Sequence, residues 1–163
     1  MEQRLNVLKA MSEVTGHMDM KHFAQTVGLT PSETIEQVQE LVKAGFVKKS
    51  GSGYGITEKG KNALKAVTPV PENKEFQFYN GVDQPTGLCA VSVKEFYDSV
   101  KKVDAASLEF HFYRGDFENW IRTAIDDRTF ADELAQMKKS ELKGENLRKE
   151  IAKAIEERYS IGP

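Results

Sequence analysis

The sequence predicts an α+β chain in two parts, each built from several helices around a small β element. Three observations carry that prediction. Capped helical segments run through both halves, marked by Thr30-Pro31-x-Glu33, Ser92-x-x-Glu95 and Asp127 ahead of apolar residues at helical spacing. A glycine- and serine-rich tip, Ser50-Gly51-Ser52-Gly53, separates two short strand-like runs. The stretch from Val67 to Asn73 holds two prolines and no periodicity, and the charge balance changes across it.

In the first half, Leu5, Leu8 and Met11 recur at helical spacing and predict a helix from about Glu2 to Val14, broken at Thr15-Gly16-His17. Asp19 caps a short second helix that carries Phe23, Ala24 and Val27 and closes at Gly28. The sharpest boundary follows. Thr30 accepts a backbone N–H, Pro31 sits where its missing donor costs nothing, and Glu33 completes a capping box. Ile35, Val38, Leu41 and Val42 read as that helix's apolar face, and Gly45 ends it. Strands are expected at Phe46–Lys49 and Tyr54–Thr57, and Thr57 caps a fourth helix that returns Ala63 and Leu64 to the core.

Three helices, a hairpin and a helix follow the order of a winged helix-turn-helix, which presents its third helix and hairpin to a partner, most often DNA. The tract Tyr54-Gly55-Ile56-Thr57-Glu58-Lys59-Gly60 resembles the Y-x-L-T-x-x-G segment that follows the wing in many bacterial and archaeal winged-helix regulators. The resemblance covers about the first 66 residues and bears on fold rather than subfamily. Candidate DNA contacts are Ser32, Thr34 and Gln37 on the third helix, with Lys48, Lys49, Ser50, Ser52 and Lys59 on and after the hairpin. Lysines and hydroxyls would hold phosphates, and Gln37 would read a base edge. Glu36 and Glu40 oppose a phosphate lattice, which leaves open a winged helix used for protein contacts instead.

Two domains are expected, at residues 1–66 and 75–163, joined by a linker at 67–74. The 9 Lys and Arg against 7 Asp and Glu before residue 67, and 14 against 18 after it, give formal charges of +2 and −4. A mildly basic reader joined to an acidic partner domain suits a regulator whose second half senses an effector or forms a homodimer.

Glu75 to Tyr79 alternates as a strand, Asn80-Gly81 and Pro85-Thr86-Gly87 are turn chemistry, and Leu88 to Val91 reads as a second extended segment. Ser92 and Glu95 open a helix with Phe96, Val100 and Val103 on one side. Asp104, Asp116 and Asp127 are read as caps of the next three helices, which carry Leu108 and Phe112, then Phe117 and Trp120, then Phe130 and Leu134. A last helix spans about Glu145 to Tyr159. This half is mainly helical with a small β element.

The run Ser107-Leu-Glu-Phe-His111-Phe-Tyr-Arg-Gly-Asp116-Phe117-Glu-Asn-Trp120 resembles an archaeal and bacterial domain family of unknown function. Its pattern is a Ser-aromatic-His element, then Asp-Phe-x-x-Trp, then a Leu-Ala-rich helix. Ser107, His111, Asp116, Phe117 and Trp120 match it, while Phe130-Ala131 stands where Leu-Ala is expected. The resemblance covers about residues 75 to 159, and it implies no function.

Ser107 and His111 lie four apart, as do Asp116 and Trp120, so a hydroxyl, an imidazole, a carboxylate and an indole could border one ligand pocket. A hydrolase would need a nucleophile within reach of its base and an oxyanion hole, and no nucleophile-elbow sequence is present. No enzyme activity is therefore expected, and an enzyme centred on His111 and Asp116 stands third behind the DNA-binding and protein-contact readings. His17, Asp19 and His22 match no common zinc spacing and Cys89 is read as a small buried filler, so no metal or cofactor is expected. No apolar run approaches the roughly 20 residues that span a bilayer, and one cysteine fits a cytoplasmic chain. The expected partners are double-stranded DNA, a second copy, and a small-molecule or protein effector, with no membrane.

Overall fold

The computed structural model describes residues 2–14, 19–51 and 53–162. The chain divides into two compact units, Met1–Leu64 and Lys65–Pro163. Both are α+β, each with one small antiparallel sheet of two strands among the described residues.

The first unit contains α1 (Glu2–Glu13), α2 (Met20–Val27), α3 (Pro31–Lys43), β1 (Val47–Ser50), β2 (Gly53–Ile56) and the start of α4 (Glu58–Val67), which runs through the division between the units. Val7, Leu8, Phe23, Val38, Leu41 and Val47 are buried together, with Phe46, Ile56 and Leu64 packed against them. The local signals act as expected at both short helices. Asp19 accepts from His22 N to start α2, and Gly28 ends it in the left-handed region at φ 74°. Thr30 and Glu33 form the reciprocal capping box of α3.

The buried face of α3 is turned from the expected one. Thr34, Val38 and Leu41 point inward, and Thr34 is fully buried with its hydroxyl donating to Thr30 O at 2.8 Å. Ile35 and Val42 remain 44% and 37% exposed. Thr34 occupies the inward position of the first turn, and the two larger apolar residues lie on a flank.

Thr57 and Gly60 lock the hairpin to the helices. The Thr57 hydroxyl donates to Gly45 O at 2.6 Å and accepts from Gly60 N at 3.1 Å. A Cβ at Gly60 would lie 2.3 Å from Phe46 O and 2.8 Å from Ile56 Cγ2, so only glycine fits. Thr-x-x-Gly is thus a packing requirement of this junction. Gly60→Ala is expected to destabilise the protein by roughly 1 to 3 kcal/mol or more, because the obstacle is backbone rather than a movable side chain. Urea unfolding of wild type and variant measures it.

The second unit follows with β3 (Phe76–Tyr79), β4 (Pro85–Ala90), α5 (Val93–Val100), α6 (Ala105–Arg114), α7 (Asp116–Trp120), a π-helical turn at Ile121–Ile125, α8 (Arg128–Met137) and α9 (Gly144–Tyr159). Strands β3 and β4 pair antiparallel with an irregularity between Gln77 and Tyr79. Phe76, Phe78, Phe96, Phe117 and Trp120 form an aromatic centre, closed by Leu147, Ile151, Ile155 and Tyr159 from α9. Residues 67–74 are held to this unit. Val70 N donates to Val91 O at 2.7 Å, and Trp120 Nε1 donates to Lys74 O at 2.7 Å.

Several local expectations shift here. Ser92 caps α5 by accepting from Glu95 N, but Glu95 returns to Val91 N rather than closing a box on Ser92. Asp104 flanks α6 without a side-chain capping bond, and Asp116 lies inside α7 with Gly115 as the residue before it. Asp127 does cap α8, accepting from Phe130 N at 3.2 Å. Cys89 is exposed on β4, not a buried filler.

Candidate functional site

Two surfaces gather the candidate residues. On the first unit, the outward face of α3 presents Ser32, Glu36, Gln39, Glu40 and Lys43, all exposed. Gln37 is half-buried, whereas Gln39 is exposed. Thr34 is removed from the surface altogether. These are the consequences of the rotated α3 face, which apolar spacing alone did not reveal.

Lys48, Lys49 and Ser50 are exposed on β1, with Lys48 and Lys49 opposite Gly55 and Tyr54 of β2. Ser52 lies outside the described residues. Among those residues Lys43, Lys48 and Lys49 have no ion-pair partner, which leaves their charges available to an anion. Lys59 is different. Its ammonium donates to Ala44 O at 2.8 Å and stands 4.8 Å over the Phe46 ring. It serves the carbonyl end of α3, where a cation is favoured, and is not a free phosphate contact.

On the second unit, β3, the β3–β4 turn, α6, α7 and the π-helical turn enclose an open cleft of about 500 Å³. Phe76, Tyr79, Phe110 and Trp120 contribute aromatic lining, and His111 and Asp116 lie among them. Ser107 does not join this group. It is fully buried, and its hydroxyl has no hydrogen-bond partner among the described residues. Its place on α6 directs the side chain into the apolar interior.

His111 links strand to helix. Its Nε2 accepts from Tyr79 N at 2.8 Å, and its Nδ1 lies 2.8 Å from Asp116 Oδ2. Accepting at Nε2 places the ring proton on Nδ1, where it is donated to the carboxylate. Both nitrogens are committed, so the ring has no free position from which to take a nucleophile's proton. Burial holds the His111 pKa below its ordinary value, against the opposing hydrogen bond to Asp116. Protonation would also turn Nε2 into a donor facing the Tyr79 N–H.

The folded state therefore prefers the neutral ring. The resulting stability is fully present above the unfolded imidazole value of about 6.5, and is lost as pH falls from there toward the lower folded value. Urea midpoints should stay level above about pH 6.5 and decline below it, with a shallower decline over that interval in His111→Gln. An identical profile in the variant would remove His111 from this effect.

Arg114 stands at the cleft rim. Its guanidinium lies 4.5 Å over the Phe110 ring and its Nε is 3.6 Å from Asp116 Oδ2. Asp83 in the β3–β4 turn, Gln77 on β3 and Asn119 on α7 also line the cleft. Sequence reading did not single out these four: Gln77 and Asp83 come from segments distant from the Ser107–Trp120 run, and Arg114 and Asn119 occupy positions within it that the pattern leaves open.

Asp19 and His22 bond each other, Nδ1 to Oδ2 at 2.7 Å, and His17 lies outside the described residues. Among the described residues no group of three or more His, Cys, Asp or Glu gathers at metal-binding geometry. None of their helices is long and apolar enough to cross a membrane.

A family of unknown function, DUF5752, matches residues 73–162, more than half of the chain. An uncharacterized protein of Methanocaldococcus jannaschii, MJ0558, is 38% identical over 60 residues, which are 36% of this chain and 23% of that protein. The chain thus matches about a quarter of that relative's length. No solved structure matches.

Proposed function

The chain belongs to the DUF5752 family of unknown function, and with no activity to carry over from it, we propose that the protein is a DNA-binding transcriptional regulator. In this reading the first unit is a winged helix-turn-helix, supported by its order of three helices, hairpin and helix. Its α3 lies in the major groove and its β1–β2 hairpin is the wing. The second unit supplies effector binding or dimerisation, without catalysis, and the protein works in the cytoplasm.

The observation that carries the proposal is the exposed pair Lys48 and Lys49 on the hairpin, without ion-pair partners among the described residues, with Lys43 on the outward face of α3. These groups suit phosphate contacts that set position and affinity. The Lys48→Ala, Lys49→Ala double variant should bind duplex DNA more weakly across sequences. Its log affinity against log salt should flatten by roughly 0.9 for each phosphate that is no longer neutralised. Unchanged affinity and slope would refute wing contact with the backbone.

A second reading draws on Ile35 and Val42. Two exposed apolar side chains on one flank of α3, beside Glu36 and Glu40, suit contact with a protein surface better than with phosphates. Ile35→Ser with Val42→Ser would then abolish self-association or partner binding while leaving duplex affinity intact.

A further inference from the structure

We propose that the cleft of the second unit binds a small zwitterion, an α-amino acid with an apolar side chain. The inference concerns the second unit alone and does not rest on DNA binding by the first.

Opposite charges reach the cleft from different segments. Arg114 ends α6, and its terminal amino groups have no hydrogen-bond partner among the described residues, although the ring of Phe110 and the carboxylate of Asp116 hold the guanidinium in place. A guanidinium so placed is preorganised to take a carboxylate. Asp83 is exposed in the β3–β4 turn, and its carboxylate has neither an ion pair nor a hydrogen bond among the described residues. It can accept from an ammonium. The amides of Gln77 and Asn119 are likewise unpartnered and add donors and acceptors from two walls.

Charge counting narrows the class. Asp83 and Asp116 bring two negative charges against one from Arg114, while His111 is neutral with its Nε2 accepting from Tyr79. A purely anionic ligand would meet a net negative lining, and a purely cationic one would have to lie beside Arg114. A molecule carrying an ammonium and a carboxylate on one carbon offers a partner to each. Phe76 and Trp120, each 7% exposed, offer an apolar floor for its side chain. A cleft of about 500 Å³ accommodates such a molecule with room for water.

The test is calorimetric titration of the full chain with L-phenylalanine, L-leucine and L-methionine, alongside 2-phenylethylamine and 3-phenylpropionate as singly charged analogues. At least one amino acid should bind, and its affinity should exceed that of either analogue by roughly 10-fold or more, the worth of one charged hydrogen bond. Asp83→Asn and Arg114→Gln should each reduce amino-acid affinity by a similar factor. Both side chains are exposed, so unchanged melting curves will show that the variants remain folded. Analogues that bind as tightly as the amino acids, variants that bind like wild type, or no heat with any amino acid at millimolar concentration would each overturn the proposal.

Discussion

Asp127→Ala is expected to lower the unfolding free energy by roughly 3 to 5 kcal/mol, the cost of removing one partner from a buried charged network. Asp127 is 4% exposed and its carboxylate ties the start of α8 to the end of α9. It accepts from Phe130 N, from Arg158 Nε at 3.0 Å and Nη2 at 2.8 Å, and from the Tyr159 hydroxyl at 2.7 Å. Alanine would leave the fully buried Tyr159 hydroxyl without its acceptor and Arg158 without its counter-charge. Burial raises the Asp127 pKa, but the hydrogen bonds from Arg158 and Tyr159 outweigh it and hold the group below the usual carboxylate range. The stabilisation is therefore present above the unfolded carboxylate value near 4 and is lost as pH falls through the lower folded one. Urea unfolding at pH 7 and in acid should show the gap between wild type and Asp127→Ala narrowing as acid is added. A variant within about 1 kcal/mol of wild type at pH 7 would mean that the network adds little.

Trp120→Ala should cost a comparable amount, roughly 3 to 5 kcal/mol for a large buried aromatic. The indole stacks on Phe96 at a centroid distance of 5.2 Å and meets the Phe76 ring edge-on at 5.8 Å. Its Nε1 donates to Lys74 O, so the same substitution frees residues that lead into β3. Trp120→Phe should recover much of the packing but not that bond. Denaturation of the two variants separates the contributions, and equal losses in both would assign the effect to the hydrogen bond alone.

What the sequence revealed and what it hid follow from the range of the forces involved. The caps at Asp19, Thr30 and Asp127 were legible because a side chain reaches a backbone N–H only a few residues away. Asp104 and Asp116 looked the same by residue type, yet neither caps, since Asp116 is drawn to His111 and Arg114 instead. The inward face of α3 was misread because a threonine that bonds back to Thr30 O can fill a core position, which apolar spacing does not register. The π-helical turn at Ile121–Ile125 had no local signal. In the second unit, helical spacing suggested that Ser107, His111, Asp116 and Trp120 border one pocket; His111, Asp116 and Trp120 line one cleft, while Ser107 is buried away from it. The spacing could not indicate that the imidazole would accept a strand N–H 32 residues away, or that Asp83 and Arg114 would line the same cleft. Those contacts depend on how distant segments pack.

The reading of the first unit as a DNA-binding module is tested most directly by selecting duplexes from a random pool with the full native chain at moderate salt. The expected result is enrichment of one short sequence, with affinity for it falling steeply as salt rises. Failure to enrich any sequence, together with duplex binding no tighter than that of the Lys48→Ala, Lys49→Ala variant, would contradict it and leave the exposed Ile35 and Val42 flank of α3 as a protein contact.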